Sequence, residues 1–480
     1  MEANRNNSYE IDSAPQSLPL RKRCYFVAIN IIRKKYIMAK KMIDNWFSTS
    51  PNKDWRTKDR WNEEEPYQRF RNSFAKDRDR VLYSKSFLRL RDKTQVFMME
   101  DIDYIRTRLT HTLEVSQIAR SIASSMCLNL DLTEAIALGH DVGHTPFGHV
   151  GERTLDEFTK GIQVLKDRNE NNIVIPRDQQ GFKHNLQSAR VLCELEPGTE
   201  GKGLNLTKYT LWGIIHHSSV RKQRADGTVI EYPYYQNFID FLDSYWSFEG
   251  YVVALADEIA QRHHDIEDSL RYDLISRQDL LSAFDDLKDN LKGADKKNFE
   301  NLNKAVDGDL SQFVALFSRF IVNMYVVDAV SQGKKNLRQL SEDYNINNLT
   351  DYIAQHNEIP VDRREKAIYF SPDLDGFDKG FQDLLKSRVL NSYAAQALDG
   401  KGTYIIRKLF KAYYTNPNQM QDSAVKDLFK MLDQPYDRSK ILDVVAGNEV
   451  TLIRVIADYI AGMTDSFAYD QFDLLYGTRR

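Results

Sequence analysis

Cysteine is nearly missing from this 480-residue chain: Cys24, Cys127 and Cys193 are the only three, far apart and without a CxxC pair. That excludes a disulfide scaffold and a zinc-ribbon arrangement, and it reads as reduced thiols in a cytoplasmic protein. Proline is scarce as well, at 12 residues. Strand-like alternation between turn pairs is hard to find, so a β-rich fold is not expected. No GxxxxGK[ST] and no GxGxxG occurs, which leaves a P-loop or Rossmann nucleotide site unsupported. The apolar run Tyr25–Ile32 is far too short to cross a bilayer, which takes about 20 residues, and no membrane association is expected. A large charge of either sign is lacking too. The formal net charge is −3, so nothing global points to nucleic acid.

What is present is an ordinary globular composition, 42% hydrophobic and 28% charged, in a chain longer than the usual single domain. Residues 1–42 stand apart. Between Arg21 and Lys41 there are eight Lys/Arg and no acid, which reads as a basic, disordered extension dispensable for fold and activity. Met38 and Met42 are candidate alternative starts. The remainder is helical in pattern nearly throughout. Apolar spacing predicts helices over 101–127, 184–195, 208–217, 236–274, 277–292, 309–332, 378–398, 402–414, 423–433 and 448–468. Asp131 and Glu134 read as the capping box of a further helix that ends between Gly139 and Gly143. Stretches 161–182 and 196–206 read as loops, and Asp226-Gly227 as the turn of a short hairpin. The expected class is all-α.

Nine of the ten histidines lie between His111 and His264. His140 and Asp141 are adjacent where a helix ends, so both can point to one centre. His111 lies upstream on a helix and Asp257 downstream. A lone histidine on an apolar helix is more often a packed core residue than a ligand. Asp257 is harder to dismiss, because it interrupts an apolar helix where an unpaired carboxylate is costly. Two imidazoles and two carboxylates leave open positions on a six-coordinate ion. One divalent metal is expected, Mn or Mg foremost, with Fe, Ni, Co or Zn also accommodated. Open positions of that kind suit phosphate ester hydrolysis. His144, His149 and Glu152 follow closely. If a helix starts near 147, His149 and Glu152 share a face, and Glu152 can orient the imidazole for proton transfer. Gln261 and Asp265 continue the Asp257 face at i+4 and i+8. His216-His217 can line a pocket, and the basic stretch 77–97 can supply phosphate contacts.

These residues fall in blocks that resemble the deoxyguanosine triphosphate triphosphohydrolases of the HD-domain superfamily. The blocks are RNSFAKDRDRVLYSKSFLRLRDKTQVF (71–97), RTRLTHTLEVSQIAR (106–120), ALGHDVGHTPFGHVGE (137–152), ADEIAQRHHDIEDSLR (256–271) and VIADYIAGMTDSFA (455–468). The resemblance implies a helical HD-domain core at 43–275. A C-terminal helical region, 276–480, would complete the substrate pocket and the oligomer contacts. It implies a metal on His111, His140, Asp141 and Asp257, a catalytic His149 with Glu152 as its acidic partner, and phosphate contacts from His144 and Arg108. Gln95 and Asp265 would lie around the deoxyribose 3′-hydroxyl, and His184 would be a further pocket histidine. Where relatives carry Tyr four residues after the last metal Asp, this chain has Gln261, so strictness for deoxyribose is expected to be weaker. The implied reaction releases a deoxynucleoside and intact triphosphate from a dNTP, serving dNTP pool control. A dNTP activator, single-stranded DNA and a tetrameric or hexameric homo-oligomer are implied as partners. The competing readings are an HD nucleotidase or phosphodiesterase on other nucleotides, and a nucleotide-sensing, single-stranded nucleic-acid-binding protein.

Overall fold

The computed structural model describes residues 54–61, 71–94, 106–198, 203–220 and 222–477, apart from positions 224–228, 285, 286, 288–290 and 292. The basic extension, Gln95 and the Asp226-Gly227 turn lie outside these residues. The fold is all-α. Among the described residues the only strands are the two-residue pair Lys222–Gln223 and Val229–Ile230, antiparallel and flanking the expected hairpin turn.

Local sequence explains most helix starts. Helix α1, Ser73–Leu82, is capped by Asn72, whose side chain accepts from Ala75 N at 2.8 Å. Helix α2, Arg108–Ser125, starts one residue after Thr107, whose hydroxyl accepts from Thr110 N. Helix α3, Leu130–Gly139, starts differently from the expected capping box. Its cap is Asn129, which accepts from both Asp131 N and Leu132 N at 3.1 Å. Asp131 instead meets Arg78 at 3.0 Å and Asn72 Nδ2 at 2.6 Å. Tertiary partners on α1 take its carboxylate, and the neighbouring amide satisfies the orphan helix donors.

Further along lie α4 (His149–Thr159), α5 (His184–Arg190, continuing as a π turn to Leu195) and α6 (Lys208–His216). The single helix expected over 236–274 is broken. A short helix, Gln236–Leu242, stops before α7, Phe248–Arg271. Ser247 caps α7 by accepting from Gly250 N at 3.2 Å, and the Trp246 indole donates to His356 O at 3.1 Å. A buried tryptophan bond and a serine cap together outweigh continuous apolar spacing. Helix α8, Leu310–Asp343, is the one described helix long and apolar enough to cross a membrane, but Phe313, Phe317, Phe320 and Ile321 are buried in the core. Past it come α9 (Pro372–Leu385), α10 (Tyr393–Thr415), α11 (Glu449–Ala461) and α12 (Asp465–Tyr476). Helix α10 runs through Gly400 and Gly402, where two helices were expected, since glycine inside a helix costs only about 1 kcal/mol.

Helix α7 is the hub. It packs against α2, α3, α6, α8 and α9. One apolar cluster reaches from Phe74 to Ala395 around it. A second joins Leu155–Phe182 to the C-terminal helices α10 and α11. Helix α4 therefore belongs on one side to the site and on the other to the C-terminal region.

Candidate metal centre

Helix α2 carries His111 in its first turn, α3 ends by handing His140 and Asp141 to a turn, and α7 carries Asp257 midway. Packing of α7 across α2 and α3 brings their ligand atoms together. His111 Nε2 lies 2.9 Å from Asp257 Oδ1, and His140 Nε2 lies 3.8 Å from the same oxygen. His140 Nε2 is 3.5 Å from Asp141 Oδ1. Ligand atoms about 2.1 Å from a six-coordinate ion sit about 3.0 Å apart, so this spacing is that of a coordination shell. His111 and His140 are fully buried, whereas the Asp257 side chain is 24% exposed and opens towards solvent.

The hydrogen bonds behind the rings leave metal-ready nitrogens. His140 Nδ1 donates to Ala137 O at 2.7 Å, and its buried Nε2 has no hydrogen-bond partner. Behind His111 runs a relay: His264 Nε2 bonds to Glu114, and His264 Nδ1 faces His111 Nδ1 at 3.3 Å. With His264 donating to the carboxylate, His111 Nδ1 is the donor in the second contact and its Nε2 lone pair is left facing Asp257. A lone pair aimed at a carboxylate oxygen calls for a cation between them. Such backing groups fix tautomer and ring orientation in metal sites. Burial opposes ionisation of Asp257, yet the imidazoles gathered around it hold the carboxyl well below the usual range. Glu114 behaves alike: burial is offset by hydrogen bonds from His263 and His264. The residues fit a divalent ion.

Asp141 is also pulled down against its own burial, chiefly by His140, His144 and Arg108. Arg108 is buried on it, with NH1 at 2.7 Å from Oδ2. His144 Nε2 lies 3.4 Å from Asp141 Oδ1. His149 opens α4 with its ring exposed, centred 5.3 Å from that of His144. Surrounding protein still desolvates it, and although Glu152 pulls upward, the imidazole drops to about 4. The sequence reading paired Glu152 with His149. In the structure Glu152 bonds to His184 Nδ1, accepts from His184 N at 3.1 Å and from Lys183 Nζ at 3.0 Å. The start of α5 reaches Glu152 first, and a donor on that helix takes the carboxylate that α4 geometry alone would leave to its own histidine.

The turn is held from several sides. Ser188 Oγ accepts from Gly143 N at 2.9 Å and donates to His140 O at 2.7 Å. Gly143 is required because a Cβ there would lie 2.2 Å from Ser188 N and 2.6 Å from His184 O. Gly148 supplies the positive φ of 62° that starts α4. Asp465 accepts from Thr94 N at 2.9 Å and from Phe147 N at 3.0 Å, tying three of the separated sequence blocks together. Lys93 Nζ donates to Ala461 O at 2.9 Å and to His144 O, and burial pulls its amine down to about 7.

Comparison with known proteins agrees with this geometry. The HD domain family model matches residues 108–200, which contain His111, His140 and Asp141, and the phosphohydrolase-associated domain model matches 368–473. Curated relatives named deoxyguanosinetriphosphate triphosphohydrolase-like protein match over most of their length. The Rickettsia felis protein is 34% identical over 407 residues, 85% of this chain and 92% of its own. The Rickettsia canadensis protein is 35% identical over 416 residues, 85% and 94% respectively. The chain belongs to the deoxyguanosinetriphosphate triphosphohydrolase-like family of HD-domain proteins. It is a phosphohydrolase, and HD domains of this kind are metal-dependent.

The remaining site candidates of this HD-domain hydrolase fall on or beside α7. Gln261 and Asp265 are half-buried one and two turns beyond Asp257. Desolvation pushes the Asp265 carboxyl up to about 7 despite Arg262. Beyond His217 a cavity of about 800 Å³ is lined by Tyr251, Glu258, Arg364 and Tyr369. Sequence reasoning passed over Glu114 and Ser188 and left His264 as a mere neighbour. His264 carried a usable signal, since i+7 from Asp257 returns to the same helix face. Glu114 and Ser188 act through partners far away in the chain, and no spacing rule finds them.

Proposed function

We propose that this protein hydrolyses deoxynucleoside triphosphates, dGTP among them, to deoxynucleoside and inorganic triphosphate in a metal-dependent reaction. The observation that carries the reading is the pair of backed imidazole lone pairs, His111 Nε2 and His140 Nε2, converging on Asp257 beside an exposed His149. His111, His140, Asp141 and Asp257 would hold the ion, with Mn or Mg favoured by the mixed nitrogen and oxygen set and Fe, Co, Ni or Zn also compatible. When bound, it supplies Lewis-acid polarisation of a phosphoryl oxygen.

The chain's own groups would do the rest. Arg108 fixes Asp141 and adds positive charge next to the phosphates. His149 is neutral near pH 7 and exposed to the site, so we assign it the proton of the attacking water, which it can then deliver to the 5′-oxygen of the leaving nucleoside. A polyanionic substrate beside it would raise its proton affinity towards the neutral range. Glu152 and Lys183 anchor His184 close by. The cavity lined by Tyr251 and Tyr369 is the space for the nucleoside.

The test is a panel of dNTPs and NTPs with Mn or Mg, singly and in pairs, read by product analysis. Intact triphosphate with deoxynucleoside is the expected result, and activity appearing only with mixed nucleotides would assign an activator. Orthophosphate or a cyclic-nucleotide substrate would replace the reading. His149→Ala should lower turnover by roughly 10²–10⁴.

A further inference from the structure

The cavity beyond His217 lies against the metal centre. The His217 ring forms part of its wall and is centred 4.9 Å from the ring of His140. Much of the remaining wall is aromatic. Tyr251, Tyr369 and His216 line it, and Trp212 stacks on His216 with ring centres 4.4 Å apart. Flat walls of this kind suit a heterocyclic base.

The charges on the wall decide which end of a substrate enters. Asp240, Asp243, Glu258 and Glu365 line the cavity, against the single guanidinium of Arg364 among the described residues. Arg364 is already committed, donating to Ile359 O and Asn357 O. An acidic wall repels a triphosphate, whose place is beside Arg108, and favours an uncharged group rich in N–H donors. Glu258 is the acid placed to use those donors. It follows Asp257 on α7, so its side chain is turned about 100° round the helix from the metal-facing one, and it opens into the cavity. Arg262, one turn on, is taken: Asp378 accepts from its Nε at 3.0 Å and from NH2 at 3.3 Å. Asp378 also accepts from the Tyr325 hydroxyl. Among the described residues Glu258 has no hydrogen bond and no ion pair.

An ionised carboxylate is a pure acceptor with two oxygens side by side. Guanine presents N1–H and its N2 amine as two adjacent donors, so the two match as a bidentate, charge-assisted pair. Adenine and cytosine each set a ring-nitrogen acceptor beside their amine, and thymine sets its one N–H between two carbonyls. Each of these aims an acceptor lone pair at a carboxylate oxygen. We propose that Glu258 reads the base of the nucleotide, selecting guanine by accepting from its N1–H and N2 amine between the rings of Tyr251 and Tyr369. The proposal rests on dNTP hydrolysis as the reaction and adds the residue that sets base preference.

Base competition isolates this role, because dGTP, dITP and dATP share the phosphates and the sugar and therefore every contact to the metal centre. For these three, kcat/KM is measured with Mn on the unaltered full chain, Glu258→Gln and Glu258→Ala. dITP lacks the N2 amine, so the unaltered chain should prefer dGTP to dITP about 10-fold, the worth of one charge-assisted hydrogen bond. Glutamine offers one acceptor and one donor, the complement of adenine, so Glu258→Gln should lower the dGTP-to-dATP ratio about 100-fold. In Glu258→Ala, dGTP and dITP should become equivalent. Damage to folding or to the metal lowers all three rates together and moves no ratio. Equal use of dGTP and dITP by the unaltered chain, or an unchanged dGTP-to-dATP ratio in Glu258→Gln, overturns the role of Glu258 and leaves the hydrolysis standing. Absence of dNTP hydrolysis in the unaltered chain overturns the reading on which it rests.

Discussion

Gly143→Ala is the most economical probe of how the site is assembled. The residue binds nothing and moves no proton, yet it sits where the turn after α3 touches α5. An added Cβ would lie 2.2 Å from Ser188 N, 2.6 Å from Gln187 C and 2.6 Å from His184 O. All three are backbone atoms, so no side chain can swing aside. Non-bonded contacts settle at about 3.5–4.0 Å, so α5 or the turn must move by at least about 1.3 Å. That shift breaks the Ser188 bridge to Gly143 N and His140 O, and it carries His184 away from Glu152 and His217. Overpacking of this kind costs about 1–3 kcal/mol, and each lost hydrogen bond about 1 kcal/mol more. A displacement of about 1 Å at a catalytic centre lowers turnover by roughly 10²-fold. The variant should therefore melt earlier and turn over at least about 10²-fold more slowly, with impaired metal retention. Thermal melting, metal analysis and single-turnover hydrolysis measure the three effects. Turnover within a few-fold of the unaltered protein at an unchanged melting temperature would show that the close approach of α5 does not position the site.

Other expectations follow from particular contacts. Glu114→Ala removes the end of the relay through His264 to His111 and should weaken metal binding about 10–100-fold, measured by competitive titration, while the fold persists. His356, outside the metal centre, is buried against Trp246 with its imidazole lowered from 6.5 to about 4, by burial above all. A base depressed in the folded state takes up its proton on unfolding, so stability is intact above pH 6.5 and is lost as pH falls towards 4. Between pH 7.5 and pH 5 this amounts to about 2 kcal/mol. His356→Gln should flatten that part of the denaturant-midpoint profile, and an unchanged slope would refute the assignment. Gln261→Tyr should sharpen discrimination between dGTP and GTP by about 1–2 kcal/mol in kcat/KM, because a rigid ring replaces a flexible amide that can bond a 2′-hydroxyl. An unchanged ratio would place sugar selection on other residues.

The sequence by itself determined the class and the chemistry. Apolar spacing and scarce proline gave an all-α chain. An adjacent His-Asp pair at a helix end, with His111 upstream and Asp257 inside an apolar helix, pointed to a metal because such groups are costly to bury alone. These features are local, and local residues were enough to read them. Only the tertiary structure decided which side chain serves which. Glu152 shares a helix with His149 but bonds to His184, since α5 arrives with a donor that spacing along α4 cannot reveal. Asp131 looked like a cap and became a partner of Arg78, leaving the cap to Asn129. Glu114 and Ser188 gained their partners only when α7 and α5 packed around one turn. Hydrogen-bond partners distant in the chain are chosen by packing, and with them the tautomer of each histidine and thus the direction in which each lone pair faces.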